Sequence, residues 1–348
     1  MSRRPGIDYD AYVHMVRQAA EAGTVEPREV SDVECHSDEV RALYERGYRR
    51  GHSTGWRCMD ELYTVRPGEF TVITGIPGHG KSSWLDNLMV NLSKWQQWRW
   101  AVFSAENLPL ERHAAGLAQI YIGRPFGPGM RERISQGDFH FATLFLDQYF
   151  RFVCPPDEDR TIDRVLAIAH LVAESEGVQG VVIDPWNELD HVRPGNQNET
   201  EYVSGALSKI RKFAREHECH VFLVAHPTKL QRMKTIDSHQ NEATIYPVPT
   251  PYDVSGSAHF RNKADNCLCV WRDVANPHTP TQIHVQKIRF REVGQLGMQE
   301  LYYDIATGQY VEQGRAPRRF KAPTELESKA RLQVIAESMR REHGDYDR

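Results

Sequence analysis

The sequence predicts an α/β fold: a central, mostly parallel sheet flanked by helices, preceded by a short helical N-terminal segment. Three observations predict it. The run Gly75-Ile-Pro-Gly-His-Gly-Lys-Ser82 stands between the apolar stretch Phe70–Thr74 and a helix-like stretch from Ser82 to Trp98. Strand, glycine-rich turn and helix, in that order, is the setting in which G-x-x-x-x-G-K-[ST] cradles phosphate. A second apolar run, Gly180-Val-Val-Ile-Asp184, ends in an acid. Further short apolar runs, Trp100–Ser104, Val221–Ala225 and Cys267–Trp271, read as buried strands.

The bulk numbers narrow the possibilities. At 348 residues and 40% hydrophobic, the chain can bury one large α/β domain with additions, or two small ones. Its formal net charge of −4 gives no global basic signal, so nucleic-acid contact needs a local patch or an assembly that concentrates one. The cysteines make no C-x-x-C pair, which fits a reduced cytosolic protein better than a zinc site or a disulfide framework. No apolar run approaches a membrane span, and the N-terminus lacks an apolar signal core. The expected location is therefore cytoplasmic, with no membrane partner.

Three regions follow in order: a helical linker or oligomerisation segment over 1–50, an ATPase-like domain over 51–312 and a charged tail over 313–348. In the first, Tyr9, Tyr12, Val13, Val16 and Ala20 recur at helical spacing, and a second short helix fits 38–46. Such helices are marginal alone. They pack either on their own domain or on a neighbouring subunit.

Pro67-Gly68 turns the chain into the strand Glu69–Thr74 and the phosphate loop. The expected nucleotide contacts are Gly75, Pro77, Gly78, His79, Gly80, Lys81, Ser82 and Ser83. Gly78 and Gly80 let backbone approach phosphate, Lys81 reaches the β- and γ-phosphates, and the Ser82 hydroxyl ligates Mg²⁺. The strand 100–104 leads to Glu106, on the face where such sheets hold nucleotide. Helices are expected over Leu110–Tyr121, about Arg131–Ser135 and Ile162–Glu176, with a short strand over Arg151–Cys154.

Asp184 is expected to hold Mg²⁺ opposite Ser82. Pro185 and Trp186 follow it, so no glutamate stands beside it to polarise water. Glu106 is the best placed base and Glu188 the runner-up. A polar loop with Arg193 leads to a helix over Tyr202–Glu216, whose cations form a solvated face or contact nucleic acid. His226, at the end of the strand 221–225, is either a γ-phosphate sensor or a satisfied core histidine. Residues 227–254 read as a long structureless loop in which Lys229, Arg232 and Lys234 suit a phosphate backbone. Arg261 follows near a helix start. The strand expected over Gln282–Arg291 puts Lys287, Arg289 and Arg291 on one face, as a solvated edge or as a reach toward a neighbour's phosphate. Leu301–Asp304 pairs with Tyr310–Val311, and Thr324 with Glu327 has capping-box spacing for a helix to Arg340.

Taken together the motifs resemble one family: the ATPase domain of hexameric replicative DNA helicases, in the DnaB family and especially its phage primase-helicase and Twinkle branch. The resemblance spans about 51–312. It rests on Gly75–Ser82, Phe103-Ser-Ala-Glu106, Val181-Val-Ile-Asp184, Val224-Ala-His-Pro227, Ser255-Gly-Ser-Ala258 with Ala264-Asp-Asn266, and Lys287-Ile-Arg-Phe290. It implies a RecA-like P-loop core and an ATP- and Mg²⁺-dependent helicase. Glu106 matches the catalytic glutamate, Asp184 the Walker B acid and His226 the γ-phosphate sensor. Arg289 matches an arginine finger given to the next subunit, with Lys287 acting beside it. The implied partners are single-stranded DNA, other copies of the chain in a ring of six, and a separate primase, in a bacterial or phage-infected cell. Translocation would run 5′→3′. The chain has no room for a primase domain, so it is expected to be a stand-alone helicase or the C-terminal piece of a larger protein. Two other readings stay open: a RecA-like recombinase or recombination mediator, and a regulatory ATPase that binds no DNA. Unwinding of a forked substrate separates the first, and DNA-stimulated ATP turnover the second.

Overall fold

The computed structural model describes residues 36–129, 132–193, 195, 198–228, 230–236, 242–254, 258–274, 276 and 279–321, with positions 14, 15, 18 and 33. The chain divides into two units, Met1–Arg49 and Arg50–Arg348. In the first, α1 (Ser37–Arg46) has Asp38 and Glu39 in its first turn and Arg46 in its last, complementing the helix dipole. None of its side chains is buried. Most of the helix expected over 9–22, and all of the one expected over 324–340, lie outside the described residues.

The second unit is built on a nine-stranded sheet in the order β11-β10-β9-β8-β1-β5-β4-β2-β3. Its strands are β1 (Phe70–Thr74), β2 (Trp100–Ser104), β3 (Phe150–Phe152), β4 (Gly180–Asp184), β5 (His220–Ala225), β8 (Asn266–Trp271), β9 (Thr281–Ile288), β10 (Gly297–Asp304) and β11 (Gln309–Val311). The strands from β8 through β1, β5, β4 and β2 to β3 run parallel. β9, β10 and β11 extend the sheet antiparallel. β1, which leads into the phosphate loop, is central and buried along its whole length.

Strand alternation divides the core into two layers. Ile73, Val102, Val182, Phe222, Val224 and Leu268 face one way. There they meet Trp84 and Leu88 of α3 (Lys81–Gln96), Leu117 of α4 (Leu110–Ile122) and Phe145 of α5 (Gln136–Tyr149). Phe70, Val72, Phe103, Val181, Ile183 and Leu223 face the other way. They meet Val165 and Ala169 of α6 (Ile162–Glu176) and Leu207 and Ile210 of α7 (Glu199–Glu216). Both faces are covered, as a parallel sheet requires, and each large side chain so buried contributes about 1.5–3 kcal/mol. Two small helices complete the unit, α2 (Arg57–Asp60) and α8 (His259–Lys263). Among the described residues no helix is long and apolar enough to cross a membrane.

Several sequence expectations change here. The helix expected over 131–135 is replaced by α5, which begins where that one was to end. Ser135 and Asp138 form a capping box that satisfies the first N–H groups of α5. Tyr121 stacks on Phe145 at 3.9 Å and joins α5 to α4. α7 begins three residues earlier than expected, on an Asn198–Glu201 capping box. The long loop is not structureless: β6 (Met233–Ile236) and β7 (Glu242–Ile245) pair antiparallel within it. Trp271 Nε1 donates to Tyr246 O at 3.0 Å and ties the end of this ribbon to β8. β9 stops at Ile288, so Arg289 and Arg291 lie beyond it and the three cations do not share a strand face. Residues 313–321 run back along the domain past the expected boundary at 312, with Phe320 N donating to Ile122 O at 2.8 Å.

Candidate functional site

The C-terminal ends of β1, β2, β4 and β5 lie side by side, with Thr74 opposite Ala225 and Ser104 opposite Asp184. A glycine is needed at the start of the loop after β1: a Cβ on Gly75 would sit 2.3 Å from Val270 O. Gly80 adopts the left-handed conformation, φ +96°, as the N-cap of α3. The helix therefore starts at Lys81, and its unpaired N–H groups and positive dipole end face the opening.

Lys81 is 5% exposed, and its Nζ donates to Ile76 O at 3.2 Å. Burial lowers its pKa, while Asp184 and Glu106 act in the opposite sense. Asp184 is 3% exposed. Burial pushes its carboxyl up to about 6, against a hydrogen bond from Ser82. Asp184 Oδ1 has no hydrogen-bond partner. A buried carboxylate oxygen left unsatisfied beside a serine hydroxyl is a donor set that suits a hard divalent cation. Across the opening, His226 Nε2 meets Glu106 Oε1 at 3.1 Å. Burial and then Lys81 lower the His226 pKa, with Glu106 opposing them. Asn187 Oδ1 accepts from His226 N at 2.9 Å and fixes the end of β5. So Lys81, Ser82, Asp184, Glu106 and His226, drawn from four separate stretches of the chain, converge on one opening.

The His79 side chain is engaged within the protein. Its Nδ1 accepts from Arg272 N at 3.1 Å, and its ring meets Trp271 edge-on. Burial, then Lys81 and Arg272, lower its pKa to about 4, so the ring is neutral at pH 7. The side chain clasps the loop to the end of β8. Arg272, which the sequence reading missed, donates Nη2 to Gly78 O at 3.3 Å. Asp86 and His113 were also missed. They pair at 2.9 Å, and Asp86 raises the His113 pKa against burial and also acts on Asp184. Asp86 stands four residues after Ser82, on the same side of α3, and that spacing was its only signal in the sequence.

Lys287 and Arg289 are not at this opening. Lys287 Nζ donates to Arg261 O and Ala264 O, at 2.5 and 2.6 Å, closing the end of α8. Arg289 Nε lies 3.1 Å from Oδ1 of the buried Asp265. Asp265 Oδ2 accepts from Phe70 N, at the start of β1. This cluster thus sits at the N-terminal end of β1, with the strand's whole length between it and Lys81, about 15 Å at the usual rise per residue.

The expected DNA contacts are dispersed. Arg193 pairs with Glu199 at 3.8 Å. Arg232 lies over Tyr246 at 4.8 Å and Arg261 over Tyr252 at 5.2 Å. Lys229 lies outside the described residues, as does the side chain of Lys234 on β6.

Residues 53–232 match the family described as AAA domain. The chain belongs to that family. In this AAA domain the matched stretch holds the loop 75–82 together with Glu106, Asp184 and His226, and ends before Arg261, Lys287 and Arg289. The family assignment makes the loop a nucleotide-binding one. The chain is similar to the Twinkle homolog protein, chloroplastic/mitochondrial, of Arabidopsis thaliana, at 40% identity over 301 residues, which is 81% of this chain. It spans 41% of that relative's length. Among solved structures it is similar to one described as an ATPase domain, with TM-score 0.64 at 16% identity over 81% of this chain and 99% of that one. It is also similar to a DnaB-like replicative helicase studied in its interactions with primase, with TM-score 0.62 at 16% identity over 87% of this chain and 73% of that one. These two share the fold of this AAA domain, and with it the RecA-like core that the motifs implied.

Proposed function

We propose that this chain is the motor domain of a ring-forming DNA helicase, in which ATP hydrolysis drives movement along single-stranded DNA. The observation that carries the reading is the facing pair Glu106 and His226, set across from Lys81 and Asp184 at one end of the sheet. Lys81 and the N–H groups at the start of α3 bind the triphosphate. Ser82 and Asp184 would hold Mg²⁺, which would offset charge on the phosphate oxygens. Glu106, exposed enough to meet water, accepts the proton of the attacking water. His226, paired with Glu106 at 3.1 Å, would sense the γ-phosphate, so loss of that phosphate would be felt at the end of β5.

The distant Arg289 supports a site shared between subunits. It cannot reach Lys81 of its own chain, so in this reading it serves the nucleotide of the next copy, with Lys287 beside it. Six subunits, 5′→3′ travel and a separate primase partner complete the proposal. The cations Arg193, Arg232 and Arg261, with Lys229 and Lys234, are its DNA contacts. Free thiols at Cys58, Cys154, Cys219, Cys267 and Cys269 suit a reducing compartment, and we assign the cytoplasm. The Arabidopsis relative's name assigns it to organelles.

The test measures ATP turnover with and without single-stranded DNA, then strand displacement on a forked duplex. DNA stimulation with displacement is the expected result. Turnover indifferent to DNA would overturn the reading, and stimulation without displacement would leave a DNA-bound ATPase that is no helicase.

A further inference from the structure

His170 and Glu174 stand one turn apart on α6, a spacing that brings both side chains to one face. His217 is the residue that ends α7, and its ring packs on Phe213 with centroids 4.4 Å apart. That packing fixes the direction of the imidazole. His170 Nδ1 then lies 3.1 Å from His217 Nε2, and Glu174 Oε1 lies 3.4 Å from His217 Nδ1. One ligand atom from each of the three residues falls within 4.8 Å of the others.

We propose that His170, Glu174 and His217 bind a divalent transition-metal ion of the zinc class and so staple α6 to the end of α7. In a tetrahedral site with metal–nitrogen bonds of about 2.0–2.1 Å, neighbouring ligand atoms stand roughly 3.3 Å apart. The two imidazole nitrogens are already at nearly that separation. They face one another across a single shared proton, and a metal ion takes its place. The Glu174 carboxylate lies at Nδ1, the other nitrogen of the His217 ring; being 66% exposed, it rotates to the gap between His170 Nδ1 and His217 Nε2 to serve as third donor, leaving the fourth position to water. Two imidazoles and one carboxylate select zinc, nickel or copper, whereas Mg²⁺ prefers oxygen ligands and keeps its waters.

The staple is separate from the nucleotide site. α6 delivers the chain to Gly180, which begins β4, and α7 delivers it to His220, which begins β5. The three residues therefore lie toward the N-terminal ends of these strands, whereas Asp184 and His226 lie at the C-terminal ends.

The experiment is calorimetric titration of the metal-stripped full chain with ZnCl₂, in buffer holding excess Mg²⁺. Wild type is expected to take up one tight Zn²⁺ per chain and to melt at a higher temperature with it. His170→Ala with His217→Gln should abolish both effects. Glu174→Gln should weaken binding by at least roughly 10-fold, because removing a ligand costs no less than removing an outer-shell partner of one. Co²⁺ should give the intense visible absorption of a tetrahedral site in wild type alone. Circular dichroism of the metal-free variants should match wild type, since two of the three side chains are exposed. Equally tight Zn²⁺ uptake by the double variant, as from thiols, would overturn the proposal. So would no uptake by wild type.

Discussion

Replacing Asp184 with Asn should make the nucleotide-free chain more stable at neutral pH while removing its response to Mg²⁺ with ATP. The carboxyl is buried, and its pKa moves from the ordinary 3.8 to about 6. The folded chain thus holds the proton more tightly than the unfolded chain does. The contribution of this site to stability is full below pH 4, and it is lost as pH rises through 6. A shift of about two units at ~1.4 kcal/mol each makes the loss about 3 kcal/mol at pH 8. The protonated carboxyl resembles the amide, so wild type at low pH is the internal reference. At roughly 2 °C per kcal/mol for a domain of this size, the variant should melt about 6 °C higher at pH 8 in EDTA. The gap should close on titrating to pH 4. Scanning calorimetry at both pH values reads it directly. A variant no more stable than wild type at pH 8 would refute the desolvation argument, and a gain that persists at pH 4 would point to packing instead.

Other outcomes follow from the same geometry. Lys81→Ala should abolish nucleotide binding measured by fluorescent-ATP titration, because Lys81 is the buried cation set beside Asp184 at the start of α3. Arg289→Ala should bind nucleotide normally yet lose about 10³–10⁵ in turnover, the worth of an in-trans arginine in well-studied cases. Mixing it with Glu106→Gln subunits should restore part of the ATPase rate, and no recovery at any ratio would count against a shared site. Arg232→Ala should weaken single-stranded DNA binding and reduce the salt slope of log K by about 0.7, the change for one phosphate contact. An unchanged slope would move the DNA contact off this ribbon.

The site was legible because each of its parts closes a local pattern. Gly75–Ser82 lies between a strand and a helix in the sequence itself, and Glu106, Asp184 and His226 each follow an apolar run. The order of those strands in the sheet then brings them together. What was not legible depends on partners far off in the chain. Asp86 meets His113 across 27 residues. His79 is claimed by the backbone of Arg272. α5 was hidden because Phe139, Phe141, Leu144, Phe145 and Leu146 crowd its sequence without a clear stripe, although its capping residues were in view. β6 and β7 pair only with each other, so no buried apolar run announced them.

Arg289 is the most instructive difference. Its alternation with Lys287 and Arg291 continued past the real end of β9, where a register shift between Cys267 and Leu268 unsettles the pairing with β8. Beyond that end it meets Asp265, and the reason for its position changes. Asp265 is already tied by Phe70 N and approached by Arg211 at 3.3 Å. Its Oδ1 makes no hydrogen bond of good geometry to either guanidinium. Arg289 can therefore depart and leave the buried carboxylate still neutralised by Arg211. An arginine that shares its carboxylate partner with Arg211, is partly exposed and lies at the far end of β1 from its own Lys81 is suited to serve a second chain. This physical condition is what a shared site demands of the subunit that lends a residue.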